Sequence, residues 1–182
     1  MDEQDGTGVD TRGAGQLPDR VLDTWTEAGL DSDGRWSWPA DEAQFGVGLT
    51  DAADGAGLDV VAAVLDATPR DPATVAVHVE RGRRADLAGE RRHALERLAA
   101  NPDVTALAAD TAGTAPATPE VLDAVFRLYD VGLRRATVLD ESGLAIVESL
   151  DGRVEFSLPA ADIAAVRSTL PETVRDRLAR RS

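Results

Sequence analysis

Residues 134–158, RRATVLDESGLAIVESLDGRVEFSL, hold three short alternating segments separated by two turn signals, and they decide how the sheet is read. Asp151-Gly152 is a two-residue hairpin signal, because both central positions of a type I′ turn take positive φ, which Gly and Asp tolerate. That turn pairs Leu150 with Arg153, Ser149 with Val154, Glu148 with Glu155 and Val147 with Phe156. Closing Asp140-Glu141-Ser142-Gly143 in the same way pairs Asp140 with Gly143, and therefore Arg135 with Glu148. Side chains alternate along a strand, so Ala136, Val138, Ala145, Val147, Val154, Phe156 and Leu158 share one face, the expected core. The opposite face carries Arg135, Glu148 and Glu155 in a row beside Thr137, Leu139, Leu144, Ile146 and Ser157. Opposed carboxylates destabilise a ladder unless a cation lies between them, and Arg135 is placed to supply it.

Outward from this meander, the sequence alternates strand and helix signals. Val75, Val77 and Val79 alternate with Ala76, His78 and Glu80, which predicts a strand over 74–80. Phe45, Val47 and Leu49 predict another over 44–50, with Gly46 and Gly48 leaving one face bare, and VTALAA predicts a third over 104–109. Helices are expected at 18–28, opened by Pro18 and closed by Gly29, at 57–67, at 83–100 ahead of Asn101-Pro102, and from Thr118-Pro119 to Gly132. Two short helices, 160–168 and 171–181, are expected to close the chain. Strands alternating with helices imply crossovers and parallel pairing. The expected fold is therefore α/β, a mixed sheet with a parallel βαβ portion (44–50, 74–80, 104–109) joined to the antiparallel meander at 135–158 and flanked by helices. Residues 1–16, rich in Asp, Gly and Thr, read as a disordered acidic tail. Residues 17–182 read as one α/β domain, to which 17–43 are appended as an acidic helix and loop carrying Trp36 and Trp38.

Composition excludes several chemistries. The chain of 182 residues has no cysteine, and its 19 basic residues are all arginine. Disulfides, thiolate nucleophiles and Cys-ligated metals are absent together. Without lysine there is no Walker loop and no pyridoxal Schiff base. A net charge of -14 resembles the composition of extreme halophiles, a solvated surface suited to concentrated salt. The charge is unevenly placed: residues 1–66 carry a net of -12 and residues 67–182 a net of -2. No apolar run reaches the ~18 residues of a membrane span, so a soluble cytoplasmic protein without a membrane partner is expected.

No stretch names a reaction. Gly46-x-Gly48 and Asp54-Gly55-Ala56-Gly57 lie between strand and helix, but Asp51 stands where a dinucleotide fingerprint needs its third glycine. His78 and His93 have no metal-ligand spacing, so no metal, cofactor or catalytic residue is assigned. The leading expectation is a non-enzymatic regulatory or protein-interaction domain. Its interaction face would be Arg135, Leu139, Leu144, Ile146, Glu148 and Glu155, open to a protein partner or a homodimer mate if no helix covers it. The first alternative is a small-molecule-binding domain or small enzyme using the strand-end loops 80–84 and 110–118, with Glu80, Arg81, Asp110 and Thr111 around the ligand. The second is a nucleic-acid-associated protein using the arginines of helix 83–100, which is disfavoured because no aromatic residues are interleaved for stacking and Arg92 stands four residues from Glu96.

Overall fold

The computed structural model describes residues 17–50, 52, 55–80, 89–106, 110–129 and 132–181. The expected acidic tail, 1–16, lies outside them. The chain order is α1 (Asp19–Glu27), β1 (Ala43–Gly48), α2 (Ala56–Ala67), β2 (Thr74–Glu80), α3 (Glu90–Ala99), β3 (Val104–Ala106), β4 (Asp110–Pro116), α4 (Pro119–Leu128), β5 (Leu133–Leu139), β6 (Ala145–Leu150), β7 (Arg153–Leu158), α5 (Ile163–Thr169), α6 (Glu172–Arg175) and β8 (Ala179–Arg180).

All these strands join one eight-stranded sheet in the order β3-β4-β2-β5-β6-β7-β1-β8, and every neighbouring pair is antiparallel. This overturns the expected parallel portion. The helical crossovers do join strands of the same direction, but another strand lies between the members of each pair: β4 between β2 and β3, β2 between β4 and β5, and the whole meander between β1 and β2. Residues 74–139 thus have the βαββαβ connectivity and strand order of a split βαβ, or ferredoxin-like, unit. Local periodicity sets which residues form strands. It does not set which strands become neighbours.

Strand β4 is the element that makes the split, and it reads in sequence as a loop, DTAGTAP. Its Gly113 is required by close approach: a Cβ there would lie 1.9 Å from the carbonyl oxygen of Asp103. A glycine inside a strand marks such a backbone contact. The C-terminal helix expected over 171–181 is also shorter than its signal. It ends at Arg175, and Ala179–Arg180 then pair with Gly46 and Phe45 of β1 as an edge strand.

Within the meander, the second turn forms as its residues dictate. Asp151 and Gly152 take φ of 46° and 75°, and Val147, Glu148, Ser149 and Leu150 meet Phe156, Glu155, Val154 and Arg153. The first turn departs from expectation. The Asp140 carboxylate accepts from the backbone N–H of Ser142 and of Leu144, so the loop is longer than two residues. Thr137, not Arg135, therefore opposes Glu148, and a bulge separates Val138 from Leu139. The bulge exchanges two neighbours: Ile146 joins the helix-covered core and Ala145 turns to the other face.

The two faces of the sheet are covered differently. Helices α2, α3, α4, α5 and α6 pack on one face, over Val75, Val77, Val79, Val138, Val147, Val154 and Phe156, and Phe45 stacks on Phe156 at 5.5 Å. On the other face lies a single arm, residues 17–38, made of α1 and the loop after it. Its Leu17, Val21, Trp25, Leu30 and Trp36 meet Ala76, Ala112, Leu139 and Ala145.

Candidate functional site

The arm-side face of the sheet concentrates the polar residues. On β2, residues alternating with the core valines face it, so His78 and Glu80 share this face with Ala112 and Asp110 of β4 and with Arg135 of β5. His78 lies directly between Ala112 and Arg135, and Glu80 opposes Asp110. The His78 Nε2 stands 3.5 Å from the Asp110 carboxylate, with side chains 12% and 22% exposed. That separation is too long for a well-formed hydrogen bond, and neither ring nitrogen, each buried at the atom, has a hydrogen-bond partner among the described residues. Glu80 is engaged elsewhere, accepting from Arg134 Nε at 2.8 Å.

Of the expected ligand residues, Glu80 and Asp110 therefore come together at one end of the face. Thr111 does not join them: it opposes Val79, points into the helix-covered side and is fully buried. Arg81 lies outside the described residues. His78, read in sequence as a lone strand histidine, is the residue that completes this group. Its register to Asp110 depends on β4 being a strand, which the sequence did not signal.

Beside His78, Arg135 is only 3% exposed although it carries a full charge. Its Nε donates to Glu148 at 2.7 Å and its Nη2 to the Gly34 carbonyl at 3.1 Å. The guanidinium carbon lies 5.4 Å from the Trp25 ring centre and 5.7 Å from that of Trp36. A buried cation needs paired charge and oriented acceptors, and the indole faces add cation–π attraction. Thr137 also donates to Glu148, at 3.2 Å. Trp25 is itself fixed by an indole N–H bond to the Gly113 carbonyl, 3.0 Å.

Glu148 and Glu155 oppose each other as the second turn requires, but they do not share a cation. Arg135 takes Glu148, while Arg153, at 2.8 Å, and Arg181 take Glu155. The expected interaction face is closed by the chain itself. Leu139 lies fully buried in the cluster with the arm, Ile146 is fully buried in the helix-covered core, and Leu144 is half-buried. The bulge and α1 together account for this: one turns Ile146 inward and the other covers Leu139.

A second polar knot was missed in sequence. Arg70, after α2, donates to Asp140 (2.9 Å), the Ala145 carbonyl (2.9 Å) and the Ser157 hydroxyl (2.9 Å). It also lies 3.0 Å from Glu42, close enough for ion pairing though off the hydrogen-bond direction. The knot ties the approach to β1 onto the meander and is structural.

The arginines of α3 and α4 are largely paired. Arg92 bonds Glu96, Arg97 lies 3.7 Å from Asp123, and Arg127 bonds both Asp123 and Glu90. The hydrogen bond from Arg127 holds the Asp123 carboxyl below its ordinary range. Backbone hydrogen bonding, then the Thr118 hydroxyl, does the same for Glu120 at the start of α4. Among the described residues, no three His, Cys, Asp or Glu side chains are grouped to hold a metal ion, and no helix is long and apolar enough to cross a membrane. Compared with known proteins, the chain matches no family, no curated protein and no solved structure.

Proposed function

We propose that the protein binds a small polar ligand at the β2–β4 end of the arm-side face, through His78 and Asp110. The observation that carries this reading is the imidazole: both nitrogens lack a hydrogen-bond partner among the described residues, and it is set against a carboxylate at 3.5 Å. Buried polar groups are ordinarily paired, so a buried ring left unpaired beside a carboxylate is disposed to receive a donor and an acceptor from a ligand. Glu80 is already held by Arg134 and Arg135 by Glu148, which leaves His78 and Asp110 as the groups with capacity. The ligand that suits them donates a hydrogen bond to the Asp110 carboxylate, as a hydroxyl or an amine does.

The test is a melting-temperature screen of the full chain against polyols, amino acids, amines and nucleosides. A binder raises the melting temperature by mass action on the folded state. The expected rise disappears in both His78→Ala and Asp110→Asn. A rise that survives both substitutions, or no rise with any of these classes, overturns the proposal.

A further inference from the structure

We infer that residues 17–38 form a strap that opens as a unit while the sheet and its helix layer stay folded, uncovering the Arg135–Glu148–His78 strip. The strap's apolar attachment is separate from the main core. Its Leu17, Val21, Trp25, Leu30 and Trp36 rest on three alanines and one leucine of the sheet, a far smaller cluster than the continuous one under the helix layer, which is rich in Val, Leu, Ile and Phe. Local opening follows such differences, because regions with fewer buried apolar contacts separate at lower free energy. The surface beneath the strap is also unlike a core. Arg135, Thr137 and Glu148 are polar, and opening returns the charged pair to water, which offsets part of the apolar loss.

The hinge is marked in the structure. From Glu42 onward the chain is tied to the body by the Arg70 knot and by β1 pairing, and 39–41 connect this anchor to the strap. The strap's own fastenings are few and identifiable: the Trp25 indole on the Gly113 carbonyl, the Gly34 carbonyl on Arg135, the two indole faces on its guanidinium, and the Ser37 carbonyl accepting from the Ala145 N–H at 2.8 Å. Arg135 is the latch, since it touches the helix and the loop of the strap and the sheet together.

The strap carries its own reporter. All three tryptophans, Trp25, Trp36 and Trp38, lie within it, whereas most of the helix and strand lies in the rest of the chain. In a urea titration of the full chain, tryptophan fluorescence reports the strap and far-ultraviolet circular dichroism reports the body. The fluorescence change is expected to be essentially complete while most of the dichroism remains, and Arg135→Met is expected to move the fluorescence midpoint further down than the dichroism midpoint. Coincident transitions in the unsubstituted chain overturn the inference, as does a dichroism loss that comes first. Should Arg135→Met fail to fold, the unsubstituted chain decides alone.

Discussion

The two faces of this sheet are built from the same strands yet obey different rules. On the helix-covered face, mostly β-branched and aromatic side chains of the strands meet helices α2 to α6, and burial alone explains the packing. On the arm-covered face, small residues and a buried ion pair meet one helix and a loop, and specific polar contacts fix the position. The first face carries stability. The second carries the groups with chemistry, His78 and Asp110 at one end and the arm-covered Arg135 and Glu148 beside them. Binding surfaces are commonly drawn from regions of low local stability, and the proposed ligand site lies on the arm-side face.

That contrast can be broken by substitution. The largest effect is expected from Phe156→Ala, which removes a 1%-exposed ring stacked on Phe45 and costs about 3–5 kcal/mol. Because the loss falls on the body, urea denaturation should bring the dichroism midpoint down toward the fluorescence midpoint. Next, Arg135→Met leaves Glu148 beneath the arm without its cation and costs about 3 kcal/mol, the low end for a broken buried pair because Glu148 keeps 12% exposure. Adding Glu148→Leu should recover most of that loss, since no charge is then left unpaired. The double-substitution cycle, read by tryptophan fluorescence, checks it.

Trp25→Phe is expected to cost about 1–2 kcal/mol, confined to the arm, because it deletes the donor to the Gly113 carbonyl while keeping most of the ring. At the exposed extreme, Arg92→Ala breaks only a surface pair with Glu96 and should change stability by less than ~0.5 kcal/mol by either probe. The smallest effect is one of pH. Glu120 and Asp123 have folded values below their ordinary 4.5 and 3.8, so their contribution is fully present above those unfolded values and is lost as pH falls through the depressed folded ones. Acid titration of α4 should therefore leave stability flat in this respect from pH 7 to 5 and weaken the helix only below about pH 4.5.

Much of the helix-covered face was legible in sequence because it depends on local alternation. Val75, Val77 and Val79, the Asp151-Gly152 turn and the Thr118 cap each specify their element from residues within a few positions. What was not legible depends on partners distant in sequence. The stretch around Gly113 illustrates this: Asp110–Pro116 lacks strand composition and becomes a strand because β2 and β3 offer edges on either side of it. The parallel reading failed with it, since β4 is the strand that separates β2 from β3. The Asp140 carboxylate lengthened a turn that a simple two-residue closure kept short, and one bulge sent Ile146 and Ala145 to opposite faces. Of the candidate site, alternation alone put Arg135 and Glu148 on one face, although the two-residue closure that set them directly opposite each other gave the wrong register. The indoles of Trp25 and Trp36 and the Gly34 carbonyl, which come from far earlier in the chain, could not.

One amide tests the contrast between the faces most directly. Ala145 belongs to β6, yet its N–H is bonded to the Ser37 carbonyl of the arm. If the arm opens separately, the Ala145 amide exchanges with solvent at least about tenfold faster than that of Val147 in the same strand, the equivalent of ~1.4 kcal/mol. If Ala145 and Val147 exchange together at the slow rate of the sheet, the arm is part of one cooperative core and the two faces are not unlike in this way.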